Sequence, residues 1–351
     1  MKILVISTGG TISQSHDEKG ILKSDETSQT GNDFVRMLKD KLGPDISVID
    51  ATTILNKDSA NMIMQDWQQI IDTIVFHYDA YDGFIITHGT ETMGYATAAT
   101  AFALGNLGKP VCFTGSQAAF GTLGSDSILN LENCLRVLSS RRDLVGVYLV
   151  FGTQIISGTR VVKQNEIDYD AFKCTHRFRP LGTIGAAITF NEPEIAHHLS
   201  QLQPYAKTVK SLKIRNTFEN NIVVLSEFPG LDSQIVTDLA NTGTKGFILK
   251  SYGSGVPNIA PDTAAFPNLR LAFKYLQEKQ IPLVITSQAP TGCACMSIYE
   301  PSVLAHELGA IPAQNMTIQA AVAKLAWLLG GEKTYKEIAT LMQKNLRGEI
   351  I

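Results

Sequence analysis

Three apolar segments of the chain lead into small hydroxyl residues, a pattern that could bring several hydroxyl groups into one pocket. Residues 3–6 lead into Ser-Thr-Gly-Gly-Thr (7–11), residues 83–86 into Thr-His-Gly-Thr-Glu (87–91), and residues 110–113 into Thr-Gly-Ser-Gln (114–117). Short apolar runs predict buried strands, and ligands of open parallel sheets bind beyond the carboxyl ends of the strands. The pattern therefore predicts one polar pocket suited to a small zwitterionic substrate.

Thr11 is the candidate nucleophile of this pocket. The two glycines before it, Gly9 and Gly10, permit a tight turn and let backbone N–H groups face a ligand. A threonine hydroxyl is a weak nucleophile at neutral pH, so it needs a nearby base or a partner that supplies one. The alternative is an ordinary strand and turn in which Thr11 is satisfied locally.

These segments resemble the two signatures of the L-asparaginase family. The first is Thr-Gly-Gly-Thr-Ile at 8–12, and the second is His-Gly-Thr-acid-Thr-Met at 88–93. The similarity covers essentially the whole chain. It continues at Asp58–Met62, Thr114–Gln117, Ser125–Asp126, Gly158–Lys163, Ser251–Gly255 and Met316–Ala321.

The resemblance implies a threonine-dependent amide hydrolysis. Thr11 would attack the side-chain amide carbon of L-asparagine, ammonia would leave, and water would release aspartate from an acyl-enzyme. Thr90, Lys163 and Glu91 would form a threonine–lysine–acid triad beside it. Lysine accepts a proton only in its neutral form, which neighbouring groups must favour. No cofactor and no metal is expected.

Substrate binding is predicted at the same strand ends. The backbone at Gly10, Gly89 and Thr90 would hold the developing oxyanion. Ser59 would bind the substrate carboxylate, Glu91 its ammonium group, and the Ser116 carbonyl the leaving amide nitrogen. Two of these assignments have simpler alternatives, because Ser59 could only cap the following helix and Lys163 could only form a surface ion pair with Glu166.

Two positions depart from the family pattern. Most members have aspartate where this chain has Glu91, and many have a tyrosine on a lid near Ile21, whereas the first tyrosine here is Tyr78. The polar loop from Ser13 to Thr30 is predicted to be that lid, because long loops beside a site often cover it. The alternative is a mobile surface loop.

Composition excludes several functional classes. The 351 residues predict about two domains, and the net charge of −3 comes without the basic stripe that nucleic acids need. No apolar run is long enough to span a membrane, and neither dinucleotide-binding nor phosphate-loop motifs occur. The lone Cys293-Ala294-Cys295 has no second pair to complete a zinc site.

The predicted fold is two α/β domains with parallel sheets: a larger flavodoxin/Rossmann-like N-terminal domain and a smaller C-terminal one. Strands at 2–7, 46–50, 83–87, 110–114 and 145–151 alternate with helical patterns. A polar stretch then interrupts the alternation. We predict an N-terminal catalytic domain at 1–190, a linker at 191–221 and a C-terminal domain at 222–351.

The favoured function is therefore that of a type I-like, cytoplasmic L-asparaginase. The chain opens directly into a strand without the regions of a signal peptide, and an odd cysteine number without a disulfide framework suits a reducing compartment. By analogy with relatives, a homodimer or homotetramer is expected. The alternatives are a non-catalytic amino-acid sensor on the same scaffold and the amidase subunit of a tRNA-dependent amidotransferase. The preference for asparagine over glutamine does not follow from the family motifs.

Overall fold

The chain folds into two compact units. The structure, a computed structural model, describes residues 1–16, 19, 21–24, 28–175, 178–259 and 267–351. One unit comprises residues 1–174 and 178–216, and the other comprises Thr175 and residues 217–351. Each unit has its own apolar core, so each is described separately.

The first unit alternates strands and helices along most of its length. Its elements are β1 (Lys2–Gly9), β2 (Ser15–His16), β3 (Leu22–Lys23), α1 (Gly31–Leu38), β4 (Val48–Lys57), α2 (Met64–Phe76), β5 (Gly83–Thr87), α3 (Met93–Ala103), β6 (Pro110–Thr114), α4 (Ser127–Ser140), β7 (Gly146–Phe151), β8 (Gln154–Ser157), β9 (Val162–Lys163), β10 (Phe172–Lys173), β11 (Gly182–Ile184), β12 (Ile188–Phe190) and α5 (Glu192–Ser200).

Within the described residues, eight of these strands form one sheet in the order β12-β11-β8-β7-β6-β5-β1-β4. The five strands β4, β1, β5, β6 and β7 run parallel, whereas β8, β11 and β12 are added in antiparallel fashion. Strands β5 and β6 are buried throughout, as expected for central strands of a parallel sheet. The parallel arrangement brings the carboxyl ends of β1, β5 and β6 to one edge of the sheet.

The second unit is smaller and contains a four-stranded parallel sheet in the order β13-β14-β15-β16. Its core includes Phe247, Phe273 and Ile285. The elements are β13 (Ile222–Ser226), α6 (Ser233–Asn241), β14 (Gly246–Ser251), α7 (Arg270–Glu278), β15 (Leu283–Ser287), α8 (Glu300–Glu307), β16 (Ala310–Pro312), α9 (Ile318–Leu329) and α10 (Tyr335–Met342).

The predicted fold class, two α/β domains with parallel sheets and a smaller second one, is confirmed. The predicted strand at 46–50 is displaced in the structure, because β4 begins at Val48 and continues to Lys57. The strand lies at the edge of the sheet, so its polar residues can face solvent, and its sequence lacks the continuous apolar run of a central strand. Residues 192–200 form helix α5 within the stretch that the sequence predicts as a linker. The predicted boundaries at 190 and 222 stay predictions.

The cysteines differ from the sequence-based expectation in one respect. Cys293 and Cys295 form a disulfide, whereas the sequence pattern predicts neither a disulfide framework nor a zinc site. The bond spans a single intervening residue, a spacing that the pattern alone does not distinguish from half of a metal site. Cys112 and Cys134 are buried free thiols.

Among the described residues, no helix combines the length and apolar character that crossing a membrane requires. In the same part of the chain, no group of three or more histidine, cysteine, aspartate or glutamate side chains could hold a metal ion.

Candidate active site

Two glycine-containing loops meet at the carboxyl ends of β1 and β5. Gly9 and Gly10 have φ angles of +97° and +82°, in the left-handed region that favours glycine. A Cβ atom built on Gly10 would lie 2.3 Å from the Cα of Gly89, so the two backbones touch. Since Thr11 and Thr90 directly follow these two glycines, the contact places both threonines on adjoining loops.

Ser59 joins a third segment to this pair of loops. It lies just beyond β4, its side chain is buried, and its Oγ accepts a hydrogen bond from the Glu91 backbone N–H at 3.1 Å. The Ser59 carbonyl accepts from the Thr92 hydroxyl at 2.8 Å. A Cβ on Gly89 would lie 2.6 Å from Ser59 Oγ. The hydroxyl therefore stands directly against the Gly89–Thr90 backbone, and its own hydrogen is not used by the bond from Glu91.

Lys163 reaches the loop after β5 from the short strand β9. Its Nζ donates a hydrogen bond to Thr90 Oγ1 at 2.9 Å and another to Glu91 Oε1 at 2.5 Å. The lysine side chain is largely buried, with 16% exposed, whereas that of Glu91 is 60% exposed. The three side chains thus form one connected cluster with the hydroxyl at its buried end and the carboxylate at its open end.

Helix α3, which begins just after Thr90 and Glu91, also fixes the segment that carries Lys163. The buried Thr97 hydroxyl on α3 donates to the Gly158 carbonyl at 2.9 Å. Two residues farther along the chain, the buried Arg160 guanidinium pairs with Glu194 at 2.8 Å and stacks 3.8 Å above the Phe178 ring. Both ends of the Thr90–Lys163 contact are therefore tied to buried structure.

The third strand end, beyond β6, brings Ser116 to the same region. Ser116 is buried, and a Cβ built on the preceding Gly115 would lie 2.4 Å from the His88 carbonyl oxygen. The loop after β6 therefore packs directly on the loop after β5. In the described part of the chain, Ser116 Oγ has no hydrogen-bond partner.

His88 lies fully buried between these loops. Its Nδ1 bonds the Gly89 carbonyl at 2.8 Å, so this nitrogen carries the hydrogen. Burial lowers the pKa of His88 from 6.5 to about 4. The imidazole is consequently uncharged at neutral pH.

Lys57 and Asp66 support the Thr11 loop and were not identified from the sequence. The Gly10 N–H donates to the Lys57 carbonyl at 2.8 Å, and Lys57 Nζ pairs with the buried Asp66 carboxylate at 2.7 and 3.0 Å. Asp66 also accepts the Ile63 N–H at the start of α2 at 2.8 Å. The only available sequence signal was the spacing of Asp66 from Ile63, which is typical of helix capping.

The predicted lid is described only in part. Residues 17, 18, 20 and 25–27 lie outside the described residues, whereas Ile21 is described and exposed. At the base of the loop, the Gln14 side-chain amide donates to Asp58 and to Ser24, both at 3.3 Å. These bonds link the chain after Thr11 to the residue before Ser59.

Two family models cover most of the chain. Residues 2–196 match the model described as "Asparaginase, N-terminal", and residues 221–342 match "Glutaminase/Asparaginase C-terminal domain". L-asparaginase 1 of Escherichia coli (strain K12) is 34% identical over 353 residues, which cover 99% of this chain and 97% of that protein.

A solved structure gives the same result. The thermostable L-asparaginase from Thermococcus kodakarensis superimposes with a TM-score of 0.84 at 29% identity, covering 100% of this chain and 99% of that one. A glutamyl-tRNA(Gln) amidotransferase polypeptide of Methanosarcina mazei is 29% identical over 358 residues, but these cover only 79% of that protein. The predicted resemblance is confirmed, and the chain is an enzyme that belongs to the asparaginase family.

Proposed function

We propose that this chain hydrolyses the side-chain amide of L-asparagine to L-aspartate and ammonia, with Thr11 as the nucleophile. The observation that carries the proposal is the cluster of Thr90, Lys163 and Glu91, joined by hydrogen bonds of 2.9 and 2.5 Å. The Gly10–Gly89 contact places Thr11 on the loop next to this cluster. A weak nucleophile beside a group that can move protons is the arrangement that acyl transfer needs.

In the first half of the reaction, Thr11 Oγ attacks the amide carbon and its proton passes to the Thr90–Lys163 pair. Lys163 accepts the proton in its neutral form, and Glu91 orients the resulting ammonium. Backbone N–H groups at Gly10, Gly89 and Thr90 stabilise the oxyanion. The relayed proton then goes to the leaving nitrogen, the C–N bond breaks, and ammonia departs.

In the second half, water attacks the aspartyl ester on Thr11. The water loses a proton to the same relay, the ester C–O bond breaks, and the proton returns to Thr11 Oγ. Aspartate is released and the enzyme returns to its starting protonation state. The residues present supply every proton movement in this scheme.

Three groups bind the rest of the substrate. Ser59 directs its unused hydroxyl hydrogen to the substrate carboxylate. Glu91 offers its second carboxylate oxygen to the ammonium group while the first holds Lys163. The Ser116 carbonyl accepts a hydrogen bond from the amide nitrogen that leaves.

The test is a coupled ammonia assay with asparagine and glutamine over a range of concentrations. We expect saturable ammonia release from asparagine, which Thr11→Ala removes. Thr73→Ala is the matched control, because the Thr73 hydroxyl bonds only its own helix at Gln69. Binding of asparagine without ammonia release would instead favour the amino-acid sensor. Ammonia release only in the presence of a tRNA substrate would favour the amidotransferase subunit.

Three further properties are proposed with the same function. A homodimer or homotetramer is proposed from the family, and light scattering tests it. A cytoplasmic location is proposed from the sequence pattern, and cell fractionation tests it. Domain boundaries at 190 and 222 are proposed from the break in the strand–helix alternation, and limited proteolysis tests them.

A further inference from the structure

Two buried polar side chains hold the loop after β6 in place. Asp126 directly precedes α4, and Asn130 lies in its first turn. Asp126 is 5% exposed and Asn130 is fully buried. Buried polar groups are costly unless they are hydrogen-bonded, and both residues use their hydrogen bonds on the backbone around Ser116.

The Asp126 carboxylate binds two successive backbone N–H groups. Its Oδ1 accepts from Gln117 and from Ala118, each at 3.0 Å, and its Oδ2 lies 3.1 Å from the Gln117 nitrogen. Hydrogen bonds to an ionised acceptor are stronger than those between neutral groups. This carboxylate therefore fixes the backbone immediately after Ser116.

Asn130 completes the arrangement from the other side. Its Nδ2 donates to the Gly115 carbonyl and to Asp126 Oδ2, both at 3.0 Å, and its Oδ1 accepts the Gly152 N–H at 3.0 Å. The peptide before Ser116 is thus held by Asn130 and the peptide after it by Asp126. Neither side chain is required to touch the substrate.

The N–H group of Gln117 and the carbonyl of Ser116 belong to the same peptide unit. A trans peptide is planar, and its N–H and C=O bonds point in opposite directions. Fixing the N–H on the Asp126 carboxylate therefore also fixes the direction of the Ser116 carbonyl. The nearby negative charge polarises the peptide and makes that carbonyl a better hydrogen-bond acceptor.

We propose that Asp126 is a positioning residue that sets the Ser116 carbonyl to accept a hydrogen bond from the leaving amide nitrogen of the substrate. This inference rests on the proposed function, since it assigns a task to the carbonyl within that reaction. Asn130 assists by holding Asp126 and the Gly115 carbonyl. Asp126 thereby favours substrates whose leaving group carries an N–H donor.

The test compares two substrates, asparagine and the β-methyl ester of aspartate, whose leaving group has no N–H. In Asp126→Asn the new amide would face Asn130 Nδ2, donor against donor, and the negative charge is lost. We expect kcat/KM for asparagine to fall about tenfold, the size of one hydrogen bond. The value for the ester should change less than about twofold. Asp232→Asn is the matched control, since Asp232 also accepts a backbone N–H at a helix start but lies in the second unit.

An equal loss with both substrates would overturn the proposal, because it would assign Asp126 only to folding. Unchanged activity with both would overturn it as well. If Asp126→Asn fails to fold, Asp126→Ser keeps a side-chain oxygen at the helix start, and the same ratio is measured with it. A wild-type chain that releases no ammonia from asparagine would refute the proposed function itself, a result distinct from either outcome with the variants.

Discussion

Lys163 Nζ lies 2.9 Å from Thr90 Oγ1, although 73 positions of the chain separate the two residues. Thr90 follows the central strand β5, whereas Lys163 lies on the two-residue strand β9. The contact therefore depends on the complete first unit. Because the proposed proton relay runs through this hydrogen bond, it is the feature on which the predictions below depend most.

Replacing Lys163 by methionine should remove the relay while keeping most of the apolar stem. We expect kcat for ammonia release to fall by about 10²–10⁴, the usual effect of losing a general acid–base group. Lys173→Met on the paired strand β10 is the control for surface charge and hairpin stability. Equal activity of Lys163→Met and Lys173→Met would contradict the proposed role.

Glu91 should set the length of the accepted substrate. Its carboxylate reaches about 1.3 Å farther than that of aspartate, so the space between the ammonium site and the nucleophile shrinks. A misfit of one methylene changes specificity by about 10–200-fold. We expect asparagine to be preferred over glutamine and Glu91→Asp to relax this preference, as measured by kcat/KM for both amides. The same ratio in wild type and variant would show that the carboxylate position does not determine substrate length.

Much of the site's location could be predicted from the sequence, because strand ends are visible as apolar runs followed by glycine and threonine. The structure brings Thr90, Glu91 and Lys163 together and places Ser59 against them. The position of Lys163 came from the family resemblance, since a two-residue strand has no periodicity to reveal it.

The supporting residues could not be predicted in the same way. Asp66, Asp126 and Asn130 act through backbone groups distant in sequence, and no local pattern encodes such partners. The same limit explains why β8, β11 and β12 were missed. These antiparallel strands have three or four residues each, too few for an alternating pattern to be recognised.

The stability of the fold should fall in mild acid. Burial lowers the pKa of His198 to about 4 from 6.5, while its Nε2 bonds the Val145 carbonyl at 2.9 Å. The unfolded state therefore binds the proton first, so this contribution is complete above pH 6.5 and is lost as the pH falls toward 4. The loss amounts to at most about 3 kcal/mol.

Chemical denaturation at several pH values measures this dependence. We expect the free energy of unfolding of His198→Gln to fall less steeply between pH 6.5 and 4 than that of the wild type. His88, whose pKa burial also lowers to about 4, keeps part of the slope in the variant. Identical slopes in the two proteins would rule out His198 as a source.

The second unit should depend on a buried ion pair. Lys324 and Glu349 are both fully buried, and Lys324 Nζ also donates to the carbonyls of Met342 and Lys344 at 3.0 and 2.7 Å. Removing one partner leaves an uncompensated buried charge, which costs about 3–5 kcal/mol. We expect Lys324→Met to lower the free energy of unfolding by this amount.

The double variant Lys324→Met with Glu349→Gln serves as the comparison, because it removes both charges and keeps an acceptor for the Arg347 N–H. It should regain part of the lost stability. A loss below about 1 kcal/mol in Lys324→Met would contradict the assigned role.

Thr11 tests the central claim most directly. The measurement is ammonia release from asparagine by purified wild type and Thr11→Ala at matched concentration, with circular dichroism and thermal unfolding to establish that both are folded. The proposed mechanism predicts saturable turnover by the wild type and a loss of at least about a thousandfold in the variant, because no other group would form the acyl-enzyme. A folded Thr11→Ala variant that retains more than about a tenth of wild-type turnover would contradict it.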